Sequence, residues 1–418
     1  MRVITTYTAI AALAAVLVAT AAQAAPQAPA YPQAPASPKA PASPKAPAVA
    51  PMTPPAMASG PAPAATGVAL AVPDRATLEA LDIHPAATPS RRWPGWTPPR
   101  VVLLGARDAA QLPGLRAALP QAEFVVAADA AAAWAAAPRV DVAIGECSPA
   151  FVAAAPRLRW ILTLGAGVDQ CTGLAAVREG RVHLTAMQGT NADAVADHAL
   201  ALLLALTRNI GPNRDSQARG EWRRVAAELG AMQSLRGRTL LVVGLGHIGR
   251  AIARRAAAFG VRVVATRGRG AAGGRPEFVA EVGGPADLLR LAAGADFVVN
   301  VAPLTPATTG LFDAKFFGAL PAGALFVNLG RGASVVQPDL LAALESGRLG
   351  GAALDVTDPE PLPPDHPLWR APRVLITPHV AGADRDNNSL KWALAQENLR
   401  RYAAGRPLYG VVDGARGY

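Results

Sequence analysis

From Arg100 onward the chain alternates short apolar runs with longer stretches in which apolar residues recur at helical spacing. Four or five apolar residues bounded by Gly, Pro or charge read as strands buried on both faces. The runs predict strands at Val101–Gly105, Glu123–Ala127, Val140–Ile144 and Trp160–Leu164, and a helix over Pro113–Leu119 closed by Pro120. A second series predicts strands at Thr239–Val243, Val261–Ala265, Phe297–Val301, Ala324–Asn328, Gly351–Asp355 and Val374–Thr377. A helix is predicted over Arg250–Phe259, ending at Gly260. This alternation implies an α/β fold in which helices wind doubly around parallel sheets through right-handed crossovers. Val195–Leu206 breaks the rhythm: it is apolar around its whole circumference save Asp197 and His198. Too apolar for a surface and too short for a bilayer, it fits a helix buried between two domains.

The pattern before Arg100 is different. Residues 1–24 have the form of a signal-peptide leader: Arg2, an apolar run of 14 residues from Ala9 to Ala22, and the small-x-small site Ala22-Gln23-Ala24. A working leader implies a periplasmic or secreted protein; a leader that does not work leaves it cytoplasmic. In neither case is a stable membrane span expected. Residues 25–98 read as a disordered Pro/Ala-rich linker, with proline at every third position from Pro26 to Pro47 and Ala-Pro-Ala-Ser-Pro-Lys occurring twice in succession. Period three matches polyproline II, giving a semi-rigid tether of roughly 70 Å. One short helix is expected at Asp74–Leu81, and Pro85 and Pro89 keep it from continuing.

Composition narrows the function classes. At 418 residues, 51% hydrophobic and 17% charged, the chain is too apolar to be wholly disordered. Its two cysteines, Cys147 and Cys171, are too few for a disulfide framework and lack metal-site spacing, so no metal site is expected. The net charge is +10; residues 1–98 hold six basic and three acidic side chains, leaving 34 and 27 beyond. Such a surface suits small anionic substrates and phosphates. The basic residues are scattered rather than interleaved with aromatics, which argues against nucleic acid.

The chemistry-bearing residues follow strands. Gly244, Gly246 and Gly249, with His247 and Ile248 between them, form a Gly-x-Gly-x-x-Gly turn between a strand and a helix. There the glycines allow a tight turn, close approach to a pyrophosphate and helix–strand packing, and the helix N-terminus faces the phosphates. Enzymes of S-adenosylmethionine also use Gly-rich turns, so the motif alone does not name the cofactor. At the end of the next strand an NAD site usually carries an acid; here stand Arg267 and Arg269. Guanidinium binds a 2′-phosphate where carboxylate repels it, so NADP is expected over NAD. Arg331, Glu360 and His379 each follow a late strand, where open α/β sheets bind ligands. Of the other histidines, His198 reads as structural, His247 as facing cofactor or solvent, and His183 and His366 as surface residues by default.

With these residues in order, the stretch from about residue 100 to 418 resembles the D-isomer-specific 2-hydroxyacid dehydrogenase family, in particular its glyoxylate/hydroxypyruvate reductases. The resemblance rests on Leu164–Asp169, Val195–Leu200, the turn at 244–249, Ala302–Pro306, Asn328–Gly332, Asp355–Leu362 and Pro378–Gly382, with Pro407–Asp413 less diagnostic. It implies two Rossmann-like domains around a cleft: a substrate-binding domain at 99–194 completed by 384–418, and a dinucleotide-binding domain at 195–383. It implies that Arg331 binds the substrate carboxylate and carbonyl, His379 is the acid/base and Glu360 pairs with it. Backbone N–H groups at Ala166 and Gly167 would hold the carboxylate, Asp355 would contact the nicotinamide and Pro303 would line the adenosine pocket. Gly211–Gly230, with Trp222, resembles the family's dimer arm and implies a homodimer. The chemistry agrees: reducing a 2-keto acid makes an alkoxide that needs a proton, and a carboxylate beside an imidazole favours the imidazolium. Arg331 would grip the acid in two places. A catalytically silent dinucleotide-sensing binding protein of the same fold is the competing reading.

Overall fold

The computed structural model describes residue 71 and residues 73–268, 270–384 and 387–417. The leader, the proline repeat and Arg269 lie outside the described residues.

Among the described residues twelve strands form two parallel sheets. The first lobe contains β1 (Val101–Gly105), β2 (Glu123–Ala127), β3 (Val142–Ile144), β4 (Trp160–Thr163) and β5 (His183–Ala186), in the order β2-β1-β3-β4-β5. The second contains β6 (Thr239–Val243), β7 (Arg262–Thr266), β8 (Glu281–Gly283), β9 (Phe297–Asn300), β10 (Ala324–Asn328), β11 (Leu349–Leu354) and β12 (Val374–Ile376). Its order is β12-β11-β10-β9-β6-β7-β8. Each sheet separates two apolar layers, which is why its strands read as unbroken hydrophobic runs. In the second sheet the order reverses between β6 and β9, the place where open α/β sheets bind ligands at the carboxyl ends of their strands.

The apolar helix runs over Ala192–Thr207 and packs along the helix His247–Ala258. Its acidic residues lie on the solvent side and pair with the neighbouring helix: Arg255 bonds Asp193 at 2.8 Å and Asp197 at 2.7 Å. The C-terminal helix Asn387–Ala403 returns to the first lobe, burying Trp392, Leu399 and Tyr402 with Trp160 of β4.

Residues 75–98 depart from the linker expected over 25–98. They form a strap on the first lobe: a helix Arg75–Ala80 capped by Asp74, then an irregular segment of turns with a single 3-10 turn at Ser90–Arg92. Pro85 bridges Tyr409, Ala86 N–H donates to Leu408 O at 2.8 Å, and Leu78, Ile83 and Trp93 are buried. Burying each such side chain contributes about 1.5–3 kcal/mol. These anchors are unevenly spaced among prolines, so no periodic pattern announces them. Trp93 stacks on His183 at 3.9 Å. His183, expected on the surface, is therefore half-buried, and burial pushes its imidazole down to about 4.

The cysteines do not form a framework, but they do form one bridge, Cys147–Cys171. Among the described residues no helix is long and apolar enough to cross a membrane, and no cluster of His, Cys, Asp and Glu is arranged to hold a metal.

Candidate active site

The glycine turn sits at the reversal point of the second sheet. Gly244 has φ +102°, and a Cβ there would lie 2.7 Å from Ala302 N on the neighbouring strand's exit. A Cβ at Gly249 would lie 2.1 Å from Gly244 O, so this glycine is required for the helix to start against the turn. Gly246, by contrast, faces open space, which leaves its backbone accessible to a ligand. Ile248 packs beneath the turn against the core. Pro303 is exposed on the segment leaving β9, and its carbonyl accepts from Thr308 Oγ1 at 2.7 Å.

His247 borders the cavity described below, and it is also held by a contact that the motif does not announce. The strap carries Asp82 over the first turn of the helix, where His247 Nε2 meets Asp82 O at 3.0 Å and Arg250 pairs with the Asp82 carboxylate. Burial lowers the His247 pKa. Arg267 follows β7, but its Nε and Nη2 donate to the carbonyls of Gly270 and Gly274, so part of its guanidinium shapes the loop. A cavity of about 400 Å³ lies beside it, lined among others by Asp82, His247, Arg250, Arg254, Arg267 and Arg275. The bare Gly246 backbone, the helix N-terminus and this arginine-rich hollow together fit a dinucleotide with its phosphates.

Arg331 leaves β10 through a turn built on two fully buried amides. Asn328 Oδ1 accepts from Asn300 Nδ2 at 2.9 Å and from Gly330 N at 3.1 Å, and Asn328 Nδ2 donates to Arg331 O at 3.0 Å. The guanidinium crosses to the first lobe. Its Nε donates to Asp169 Oδ1 at 3.0 Å, with Nη2 2.9 Å from the same oxygen, and Nη1 donates to Gly330 O at 2.8 Å. Two of its five N–H groups are thus bonded and Nη2 is paired with the Asp169 carboxylate, so the fork open to a substrate is smaller than a free guanidinium's. Gly167 lies directly against it: a Cβ there would come within 1.6 Å of Arg331 Nη2. Gly167 is exposed and Ala166 half-buried, on the loop after β4.

Glu360 and His379 meet directly, with His379 Nδ1 2.9 Å from Glu360 Oε2. An ionised carboxylate only accepts, so Nδ1 carries the proton and Nε2 is turned away for other work. Thr357 N–H donates to the other Glu360 oxygen at 3.0 Å, and the neighbouring peptides Asp358–Pro359 and Glu360–Pro361 are both cis. His379 is held at φ +55°, a conformation that surrounding contacts must impose. They come from Asp355, whose side chain is 1% exposed. Its Oδ1 accepts from Thr377 Oγ1 at 2.6 Å and Val380 N at 3.0 Å, its Oδ2 accepts from Ala381 N at 3.0 Å, and its carbonyl accepts from His379 N at 2.8 Å. Asp355 thus clamps the His379 turn from below, a role the sequence did not suggest. Thr377 donates to Asp355, so it must accept from His198 Nε2, 3.1 Å away. His198 is structural in that sense, but it supports the reacting end of the sheet.

The strands carrying the three groups are adjacent in the order β10, β11, β12. Arg331 and His379 therefore rise from roots about 10 Å apart, with Glu360 joined to His379 and Arg331 joined to the first lobe. Asp169 was legible only as part of the motif Leu164–Asp169; its pairing with Arg331 had no separate signal.

Residues 200–381 match the family described as D-isomer specific 2-hydroxyacid dehydrogenase, NAD binding domain. The chain is 38% identical over 248 residues to the glyoxylate reductase/hydroxypyruvate reductase of Mus musculus, covering 59% of this chain and 74% of that one. The chain belongs to the D-isomer-specific 2-hydroxyacid dehydrogenase family. Solved relatives agree. An enzyme of this family from Xanthobacter autotrophicus Py2 in complex with NADPH superposes with a TM-score of 0.64 at 31% identity, covering 77% of this chain and all of that one. An NADPH-dependent glyoxylate/hydroxypyruvate reductase from Sinorhizobium meliloti superposes with a TM-score of 0.64 at 29% identity, covering 76% and 99%. This dehydrogenase is thus an NAD(P)-dependent oxidoreductase acting on CH–OH donors. The silent-sensor reading finds no support among these relatives.

Proposed function

We propose that this dehydrogenase is an NADP(H)-preferring reductase of small 2-keto acids, with glyoxylate or hydroxypyruvate as substrate. The observation that carries the reading is the Glu360–His379 pair at the carboxyl end of the sheet, the end at which Arg331 leaves β10. The activities of the Mus musculus and Sinorhizobium meliloti relatives support the choice of substrate, and Arg267 with the arginine-lined cavity supports NADP. The remaining N–H groups of Arg331 and the backbone N–H groups of Ala166 and Gly167 hold the keto acid by its carboxylate. A reduced nicotinamide dinucleotide bound at the 244–249 turn would supply the hydride for the carbonyl carbon. His379 Nε2 gives its proton to the carbonyl oxygen as negative charge develops there, and Glu360 holds the ring through Nδ1. In the reverse direction the same nitrogen takes the proton back.

A panel of 2-keto acids with NADPH and NADH tests this. The expected result is the highest kcat/KM for glyoxylate or hydroxypyruvate with NADPH. Faster turnover with NADH at equal low concentration, or no turnover of any keto acid, overturns it.

Two parts of the reading concern setting rather than chemistry. The lobe over 99–194, completed by 384–418, serves as substrate domain, and Gly211–Gly230 serves as the arm of a homodimer; a Trp222 that is 95% exposed supports the arm. Light scattering should give twice the chain mass, and a monomer at micromolar concentration refutes it. The leader together with a disulfide supports export to an oxidising compartment. A mature N-terminus just after Ala24 in an extracytoplasmic fraction is the expected finding; an intact Met1 in the cytoplasm refutes it.

A further inference from the structure

The strands β3 and β4 lie side by side, and the segments leaving them are neighbours. The segment after β3 carries Cys147. The segment after β4 runs through Gly165, Ala166 and Gly167 into a four-residue helix, Asp169–Thr172, that carries Cys171. The disulfide joins these two segments, with Cα atoms 5.6 Å apart. Asp169, the first residue of the short helix, holds the Arg331 guanidinium through Oδ1. Gly167, two residues earlier, lies against the same guanidinium.

The Gly165–Gly167 segment has little holding it. Both glycines are exposed. On its upstream side Met187 N–H donates to Gly165 O at 3.2 Å. On its downstream side the helix is only one turn long, closed by Cys171 N and Thr172 N donating to Val168 O at 2.9 Å. A turn of that length does not hold itself in water. Val168 and Cys171 sink into the first lobe's core at 5% and 3% exposure, and the covalent bond to Cys147 ties the turn to the β3 side of the sheet.

We propose that Cys147, Cys171 and Asp169 are positioning residues for the keto acid: the disulfide seats the Asp169 helix, Asp169 aims Arg331, and the loop between presents its N–H groups to the carboxylate. This rests on the reading of Arg331 as the carboxylate's partner. The disulfide touches neither the dinucleotide turn at 244–249 nor the Glu360–His379 pair, so its loss acts on substrate capture and leaves cofactor binding alone. A dithiol such as dithiothreitol opens the bond: two electrons and two protons pass to the cysteine sulfurs, giving two thiols, and the dithiol closes to its own ring disulfide.

The experiment compares the oxidised enzyme, the same enzyme reduced with dithiothreitol, and the double variant C147S/C171S. The readouts are thiol titration, KM and kcat for glyoxylate, and the NADPH dissociation constant by fluorescence. The reduced enzyme and the double variant should show KM raised about tenfold, the scale of lost preorganisation at a carboxylate site, with the NADPH dissociation constant unchanged. Asp169→Asn, with the disulfide intact, should raise KM in the same way, and Asp169→Glu should recover part of it. Two free thiols in the purified enzyme, an unchanged KM after confirmed reduction, or an equal loss of NADPH affinity overturns the proposal. Reduction of the native protein keeps the test decisive where the double variant does not fold. Arg331→Ala separates the two readings: if it leaves KM unchanged, the substrate site itself is misplaced, whatever the disulfide does.

Discussion

Asp355→Asn isolates the clamp beneath the acid/base. The substitution keeps the shape of the side chain and turns one of its two acceptor oxygens into a donor. With the amide nitrogen at the Oδ2 position, it faces Ala381 N–H; with the amide flipped, it faces Val380 N–H and the Thr377 hydroxyl. Either way a buried donor is left without its bond, at a cost of about 1–3 kcal/mol. The backbone strain at His379, φ +55°, costs on the order of 1–3 kcal/mol to hold. The loss is therefore comparable to what keeps His379 in place, and the turn should relax in a large fraction of molecules. Urea unfolding should show the stability loss, and kcat for glyoxylate with NADPH should fall by about 5–150-fold, the same free energy expressed as a rate. A variant whose stability and kcat both stay within about twofold of the wild type would refute the clamp.

Gly167→Ala places a methyl within 1.6 Å of Arg331 Nη2, so KM for the keto acid should rise by about 10–100-fold while NADPH titrates normally; an unchanged KM argues against Arg331 as its partner. Arg267→Ala should raise the KM for NADPH by about tenfold, one charge-assisted hydrogen bond of about 1.5 kcal/mol. The KM for NADH should move much less, and equal losses for both cofactors would mean that Arg267 only shapes its loop. His183 has a folded-state pKa of about 4, below the ordinary value of about 6.5, so between those values the unfolded chain binds the extra proton. Stability from this group is therefore complete above about pH 6.5 and is lost as pH falls toward about 4. Thermal unfolding should show that decline, and His183→Phe, which keeps a ring against Trp93, should flatten it.

The alternating fold was legible because strands covered on both faces spell continuous apolar runs. β6, β10 and the glycine turn needed little else. The strands β5 and β8 were not anticipated, since His183–Ala186 and Glu281–Gly283 are too short and too polar to stand out. The strap was hidden for a related reason: Leu78, Ile83 and Trp93 are scattered among prolines, and only a partner surface reveals them as one apolar side. At the site, Arg331, Glu360 and His379 could be picked out because each follows a strand of one parallel sheet. The groups that aim them could not. Asp169 reaches Arg331 across 162 positions of sequence, and Asp355 reaches Thr377 across 22; pairings at such distances leave no local pattern. His247 illustrates the converse, a residue placed by its motif whose partner, Asp82, comes from outside that motif.

Turnover by His379→Ala is the most direct measurement. The variant should reduce glyoxylate with NADPH about 10²–10⁴-fold more slowly than the wild type, with its NADPH dissociation constant unaltered. Near-normal turnover in a folded variant would contradict proton transfer by His379 and, with it, the role given to the Glu360 pair.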